Sequence, residues 1–145
     1  ITQAASLIKL KKLKYLELGN LEAKRDWGYA PEYIEAMWLM LQQKKSEDFV
    51  IATGKQTTVK NFVNLVAEKL EIKISWKGKG ISEKAVDENG KIVIACDKAY
   101  YRPLEVNNLL GDAKKARKKL KWNPKINLNN LIAEMIEYEM NKILY

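Results

Sequence analysis

Three observations predict a small α/β fold of short mixed strands and amphipathic helices. Apolar residues recur at three-and-four spacing over 59–70 and 128–143, the mark of helices that bury one face. Short apolar or alternating runs at 15–18, 49–53, 72–76 and 91–96 read as strands. Strands and helices do not alternate strictly as in a doubly wound sheet, and no repeat is visible, so an α/β or α+β unit follows.

Taken in order, 2–14 suits a helix with Ala5, Ile8 and Leu13 inward and lysines outward. Tyr15 to Leu18 alternate as a short strand, and Lys24-Arg25-Asp26 reads as a turn. Pro31 fits the first turn of a helix, where its missing N–H costs nothing. Tyr33, Ile34, Met37, Trp38 and Leu41 then form an apolar stripe to about Gln43. Phe49 to Thr53 reads as a compact buried strand ended by Gly54. Thr58 can cap the helix carrying Val59, Phe62, Val63, Val66, Ala67 and Leu70. Ile72, Ile74 and Trp76 alternate as a half-buried strand; 77–90 is a Gly-rich charged loop with a turn at Asn89-Gly90; and 91–96 returns as a strand. Asp112 can cap a short basic helix to about Leu120, and Asn127 the final helix.

At 145 residues the chain fits one domain, and 47% hydrophobic with 30% charged residues is a globular composition. No apolar run approaches the roughly 20 residues of a membrane span. The single Cys96 has no internal disulfide partner, which suits a reducing compartment such as the cytoplasm. There is no His, which removes His-based acid–base catalysis and His metal ligation. The chain opens without Met inside an amphipathic segment and is expected to be a piece of a longer one. A net charge of +8 raises nucleic-acid binding, but the lysine clusters at 9–14 and 114–121 lack interleaved aromatics and look like solvated helix faces. No nucleic-acid partner is therefore expected.

Two constellations carry candidate chemistry. In LGNLEAKRDWGYA (18–30), Lys24 and Arg25 offer a mobile charge and a rigid fork of donors for an oxyanion. The alternative is Arg25 paired with Asp26 or a helix end. In Arg102-Pro103-Leu104-Glu105, proline holds Arg102 extended, so the guanidinium can grip a diphosphate while Glu105 accepts from ribose hydroxyls. The alternative there is a surface salt bridge beside a turn. No Gly-rich phosphate loop follows a strand, since Gly78-Lys79-Gly80 lacks a third glycine and a helix.

The strings at 18–43, DFVIATGKQTTVKNFV (48–63) and YYRPLEVNNLLGDAKKARKKLKWNPK (100–125), with the terminal helix, closely resemble the GDP-mannose 4,6-dehydratase family of extended short-chain dehydrogenase/reductases. The resemblance covers only the C-terminal part of such an enzyme. It implies that 1–145 is a single GDP-sugar-binding region, with the catalytic residues and the NADP-binding Rossmann half lying before Ile1. The family reaction oxidises C4 of the hexose by hydride transfer to NADP, eliminates water across C5 and C6, and returns the hydride to C6. By resemblance, Arg25 and Arg102 contact the GDP diphosphate, Glu105 holds the ribose, and Asn20 and Lys24 line the nucleotide side. Full-length relatives act as oligomers, which implies a homo-oligomer. Tyr29 stands where the family commonly has His. The functions left open are this lyase, inactive as an isolated segment; a non-catalytic nucleotide-sugar-binding remnant or partner-binding module; and, behind both, a basic nucleic-acid binder.

Overall fold

The computed structural model describes residues 1–102 and 109–144. Its helices are α1 (Thr2–Lys9), α2 (Ala30–Leu41), α3 (Val59–Lys69), α4 (Lys114–Lys119) and α5 (Leu128–Leu144). Its strands are β1 (Leu16–Leu18), β2 (Lys24–Asp26), β3 (Gln56–Thr58), β4 (Ile74–Lys77), β5 (Lys84–Asp87) and β6 (Ile92–Cys96). The main sheet runs β1-β6-β5-β4, with β1 and β6 parallel and the other pairs antiparallel. β2 and β3 form a separate antiparallel ribbon.

Helix α3 joins the layers because its apolar stripe is wide. Phe62, Val66 and Leu70 pack with Ala5 of α1 and Ile132 and Ile136 of α5. Val63 turns instead to Ala85, Val93 and Ile94 of the sheet. A second core joins Ala36, Ala52, Ala113, Ala116, Leu120 and Trp122. The caps at Thr58 and Asn127 form as expected, accepting from the Asn61 and Asn130 amides at 3.0 and 2.9 Å. Asp112 accepts from Lys114 N at 2.9 Å, one residue outside the expected cap position.

Several expectations are corrected. The first helix stops at Lys9, well short of residue 14, because Lys11 adopts φ 58° and the Lys11 and Lys12 amides turn back to Ile8 O and Leu7 O. This is the double bond of a glycine-type helix stop, built on lysine. Helix α3 ends the same way at Glu71 (φ 54°), and Lys121 (φ 57°) follows α4. Each left-handed non-glycine residue costs about 1 kcal/mol. Lys11→Gly, Glu71→Gly and Lys121→Gly should therefore each raise the urea midpoint, with near-additive gains because the sites are separate.

Lys24–Asp26 is a strand, since its backbone finds a ladder with Gln56–Thr58. Phe49–Thr53 joins no sheet among the described residues and has no regular structure of its own; Thr53 N donates to Asp26 instead. The 77–90 loop contains β5, whose Ala85 and Val86 are buried beside a bulge. The expected stripe on α2 faces outward: Ile34, Met37, Trp38 and Leu41 are 59–81% exposed. That helix is apolar almost all round, and its small Ala36 face is the one that approaches the 49–52 segment and α4 closely.

The basic cluster on α4 is partly spent internally. Glu47 receives Lys119 Nζ at 2.5 and 2.6 Å and Lys115 at 3.0 Å, which holds its carboxyl below the usual range. Lys115 also lies 4.9 Å from the centre of the Phe49 ring. No helix among the described residues is long and apolar enough to cross a membrane.

Candidate functional site

The parallel pair β1/β6 defines one end of the sheet, and both chains leave it on the same side. Ligands of α/β folds collect outside the carboxyl ends of parallel strands, where diverging loops leave room. β1 continues into Gly19-Asn20, and β6 into Asp97 and a single helical turn, Lys98–Tyr100, leading to Tyr101 and Arg102. Asp97 N donates to Leu18 O at 2.9 Å, prolonging the ladder, and the Cys96 thiol lies 3.5 Å from Gly19 O. Burial, reinforced by the Glu83 charge, pushes the pKa of that thiol upward.

Gly19 is required here by contact. A Cβ on it would stand 2.1 Å from Tyr100 O. The backbone carrying Asn20 and that leading to Arg102 therefore touch directly. Asn20 Oδ1 accepts from Glu22 N at 3.0 Å, a local turn that aims the chain toward β2. Helix α3 secures the turn from below: Lys60 N donates to Leu21 O at 2.9 Å and Val59 N to Ala23 O at 3.0 Å. Leu21 and Ala23 are buried beneath it.

The structure thus brings Asn20 and the Tyr100–Arg102 segment together. Arg102 and Lys24 are exposed, and Arg25 is half-buried. Because strand residues alternate, Lys24 and Arg25 project from opposite faces of the β2–β3 ribbon, so they do not form a single turn-borne clamp. Arg25 Nη1 donates to Lys24 O at 2.7 Å. Pro103, Leu104 and Glu105 lie outside the described residues.

Asp26 has a clear task that sequence reasoning missed. Oδ1 accepts from Thr53 N (3.2 Å) and Thr53 Oγ1 (2.6 Å), and Oδ2 from Gly54 N (2.8 Å). It fastens the turn before β3 to β2. In the Trp27-Gly28 pair, Trp27 stacks on Phe62 at 4.3 Å, and Gly28 makes room for the Tyr33 ring. Tyr29 OH donates to Glu134 Oε1 at 2.9 Å, a bond that raises its pKa. Clefts of about 770 Å³ (Lys9, Lys12, Lys73) and about 490 Å³ (Thr53, Lys55, Arg117) contain none of the candidate residues Asn20, Lys24, Arg25 and Arg102. No cluster of three or more potential metal ligands occurs among the described residues.

Comparison with known proteins adds the family. A sequence model described as GDP-mannose 4,6 dehydratase matches residues 1–135. The chain is 46% identical over 136 residues to GDP-mannose 4,6 dehydratase 2 of Caenorhabditis elegans, covering 94% of this chain and 36% of that protein. It is 46% identical over 142 residues to the Sinorhizobium fredii GDP-mannose 4,6-dehydratase (97% and 40%), and 44% over 141 to the human one (97% and 38%). The chain thus spans well under half the length of these relatives. Among solved structures, RMD from Pseudomonas aeruginosa complexed with NADPH superposes with a TM-score of 0.76 at 13% identity, covering 97% of this chain and 41% of that one. The UDP-glucose 4-epimerase of Thermotoga maritima gives 0.70 at 24%, covering 99% and 39%. These structures show a shared α/β fold, matched over a portion of each longer chain. With the family match running over 1–135 and the curated relatives aligned along nearly the whole chain, this protein belongs to the GDP-mannose 4,6-dehydratase family.

Proposed function

We propose that the complete gene product is a GDP-mannose 4,6-dehydratase and that residues 1–145 hold the GDP part of its substrate. The observation that carries this reading is the convergence of the Gly19-Asn20 turn and the Tyr100–Arg102 segment at the carboxyl ends of β1 and β6. An exposed guanidinium there suits a diphosphate, which it can meet with two parallel charge-assisted bonds. In this reading Arg102 and Arg25 bind the diphosphate, Glu105 takes the ribose, and Asn20 and Lys24 line the nucleotide. The chemical contribution of the chain is positioning: a fixed diphosphate places the hexose at the reacting centre.

NADP would be the hydride carrier of the complete enzyme, but the residues described here do not fit it. The α3 N-terminus, entered from β3, has no glycine and is occupied by the Leu21 and Ala23 carbonyls. At the glycine next to α2, Gly28, the space is filled by Tyr33. The dinucleotide belongs, in this proposal, to chain outside 1–145. The outward apolar face of α2 suits such a partner, since exposed apolar patches of this kind are normally covered. We place the enzyme in the cytoplasm as a homo-oligomer, with no nucleic-acid partner; the Glu47 contacts of Lys115 and Lys119 leave less free charge for one.

The complete gene product should convert GDP-mannose in the presence of NADP, read by chromatography of the nucleotide sugars. Arg102→Ala should weaken GDP binding by about 10- to 100-fold, the worth of one or two lost charged hydrogen bonds. Calorimetric titration with GDP is the check, and an unchanged affinity would remove Arg102 from the site.

A further inference from the structure

We propose that Lys60 and Glu83 are positioning residues: an ion pair between a half-buried ammonium and a buried carboxylate that holds the Asn20 turn and the Arg102 segment in register. The proposal rests on the nucleotide-sugar reading for its ligand, but not for its geometry. Glu83 is 6% exposed and lies in the Gly-rich stretch before β5. Its Oε1 is 2.5 Å from Lys60 Nζ. The ammonium also sits 5.1 Å from the centre of the Trp76 ring, whose indole N–H is fixed by Asn64 Oδ1 at 2.8 Å.

Stability alone does not explain such a pair. Burying the Glu83 carboxylate and half-covering the Lys60 ammonium costs much of what their attraction returns, and well-packed apolar residues commonly do as well or better. The best-attested return is registry, and the backbone here shows what is registered. Lys60 N donates to Leu21 O, next to Asn20. Glu83 O accepts from Cys96 N at 3.1 Å, at the end of β6, from which the chain runs on to Arg102. The Nζ–Oε1 bond therefore closes a ring. It runs from the Asn20 turn through α3 and the Glu83 loop to β6, and returns through the Gly19–Tyr100 contact.

The test uses the complete gene product with Lys60→Arg and with the double variant Lys60→Met/Glu83→Leu, which removes both charges together. Amide hydrogen exchange without ligand, GDP titration and steady-state kinetics on GDP-mannose are the readouts. The double variant should melt within about 5 °C of the parent. Its amides at 19–23 and 96–102 should exchange about tenfold faster while those of α5 stay unchanged. GDP affinity should fall and KM rise by about tenfold, with kcat within about twofold. Lys60→Arg should preserve all of these. Parental exchange and affinity in the folded double variant would overturn the proposal. If the double variant does not fold, Glu83→Gln carries the same expectations. A parent that fails to bind GDP would overturn the nucleotide-sugar reading, while the exchange pattern would still decide the role of the pair.

Discussion

Phe62→Ala should destabilise the fold by about 3–5 kcal/mol, the range for deleting a buried aromatic ring. Phe62 is 2% exposed and lies among Ala5, Val66, Leu70, Ile132 and Ile136, so three helices lose contacts at once. Trp27 loses its stacking partner at 4.3 Å as well. Because domains of this size are stable by only about 5–15 kcal/mol, this one change removes about a fifth of the total or more. Phe62→Leu keeps most of the volume and should recover most of the loss. Urea unfolding with an unchanged slope is the measurement. A loss below about 1 kcal/mol would mean that the α1–α3–α5 core does not anchor the molecule.

That core was legible in the sequence because its signals are local. The Thr58 hydroxyl followed by Val59, Phe62, Val63 and Val66 specifies both where α3 starts and which face it buries. The same holds for Asn127 and α5. The misreadings fall where structure depends on distant partners. Lys24–Asp26 and Gln56–Thr58 are three-residue polar strands with no period to detect, and each is a strand only because the other is. Conversely, Phe49–Thr53 has the composition of a central strand but finds no ladder partner among the described residues, so its composition alone does not decide whether it joins a sheet. The early end of α1 was hidden because lysine occupies the left-handed position that glycine normally marks.

The candidate site was half legible for the same reason. Arginine and lysine advertise anion chemistry by type alone, so Arg25, Lys24 and Arg102 could be chosen from the sequence. Strand alternation, which sends Lys24 and Arg25 to opposite faces, could not be applied before β2 was known to be a strand. The pairing of Lys60 with Glu83 spans 23 positions and leaves no sequence signature.

Gly19→Ala should cost about 1–3 kcal/mol in stability and weaken GDP binding by about tenfold or more. The new methyl would lie 2.1 Å from Tyr100 O and 2.8 Å from Tyr100 C, and both obstacles are backbone, so no rotamer relieves the clash. Tyr100 cannot yield by itself. Its turn is pinned by Asp97 Oδ1 accepting from Ala99 N at 2.7 Å and by the Tyr100 N and Tyr101 N bonds to Asp97 O and Lys98 O. The two loops must therefore separate by more than about 1 Å to reach ordinary contact. The displaced segment is the one leading to Arg102, so a purely steric change far from the guanidinium should appear in the affinity. Gly90→Ala is the control. Its methyl would meet nothing within 4 Å, and its cost comes from φ +77°. Gly90→Ala should lower stability and leave GDP affinity unchanged, whereas Gly19→Ala should lower both. Equal GDP affinities in the two variants would show that the Gly19–Tyr100 contact does not set the geometry of the site.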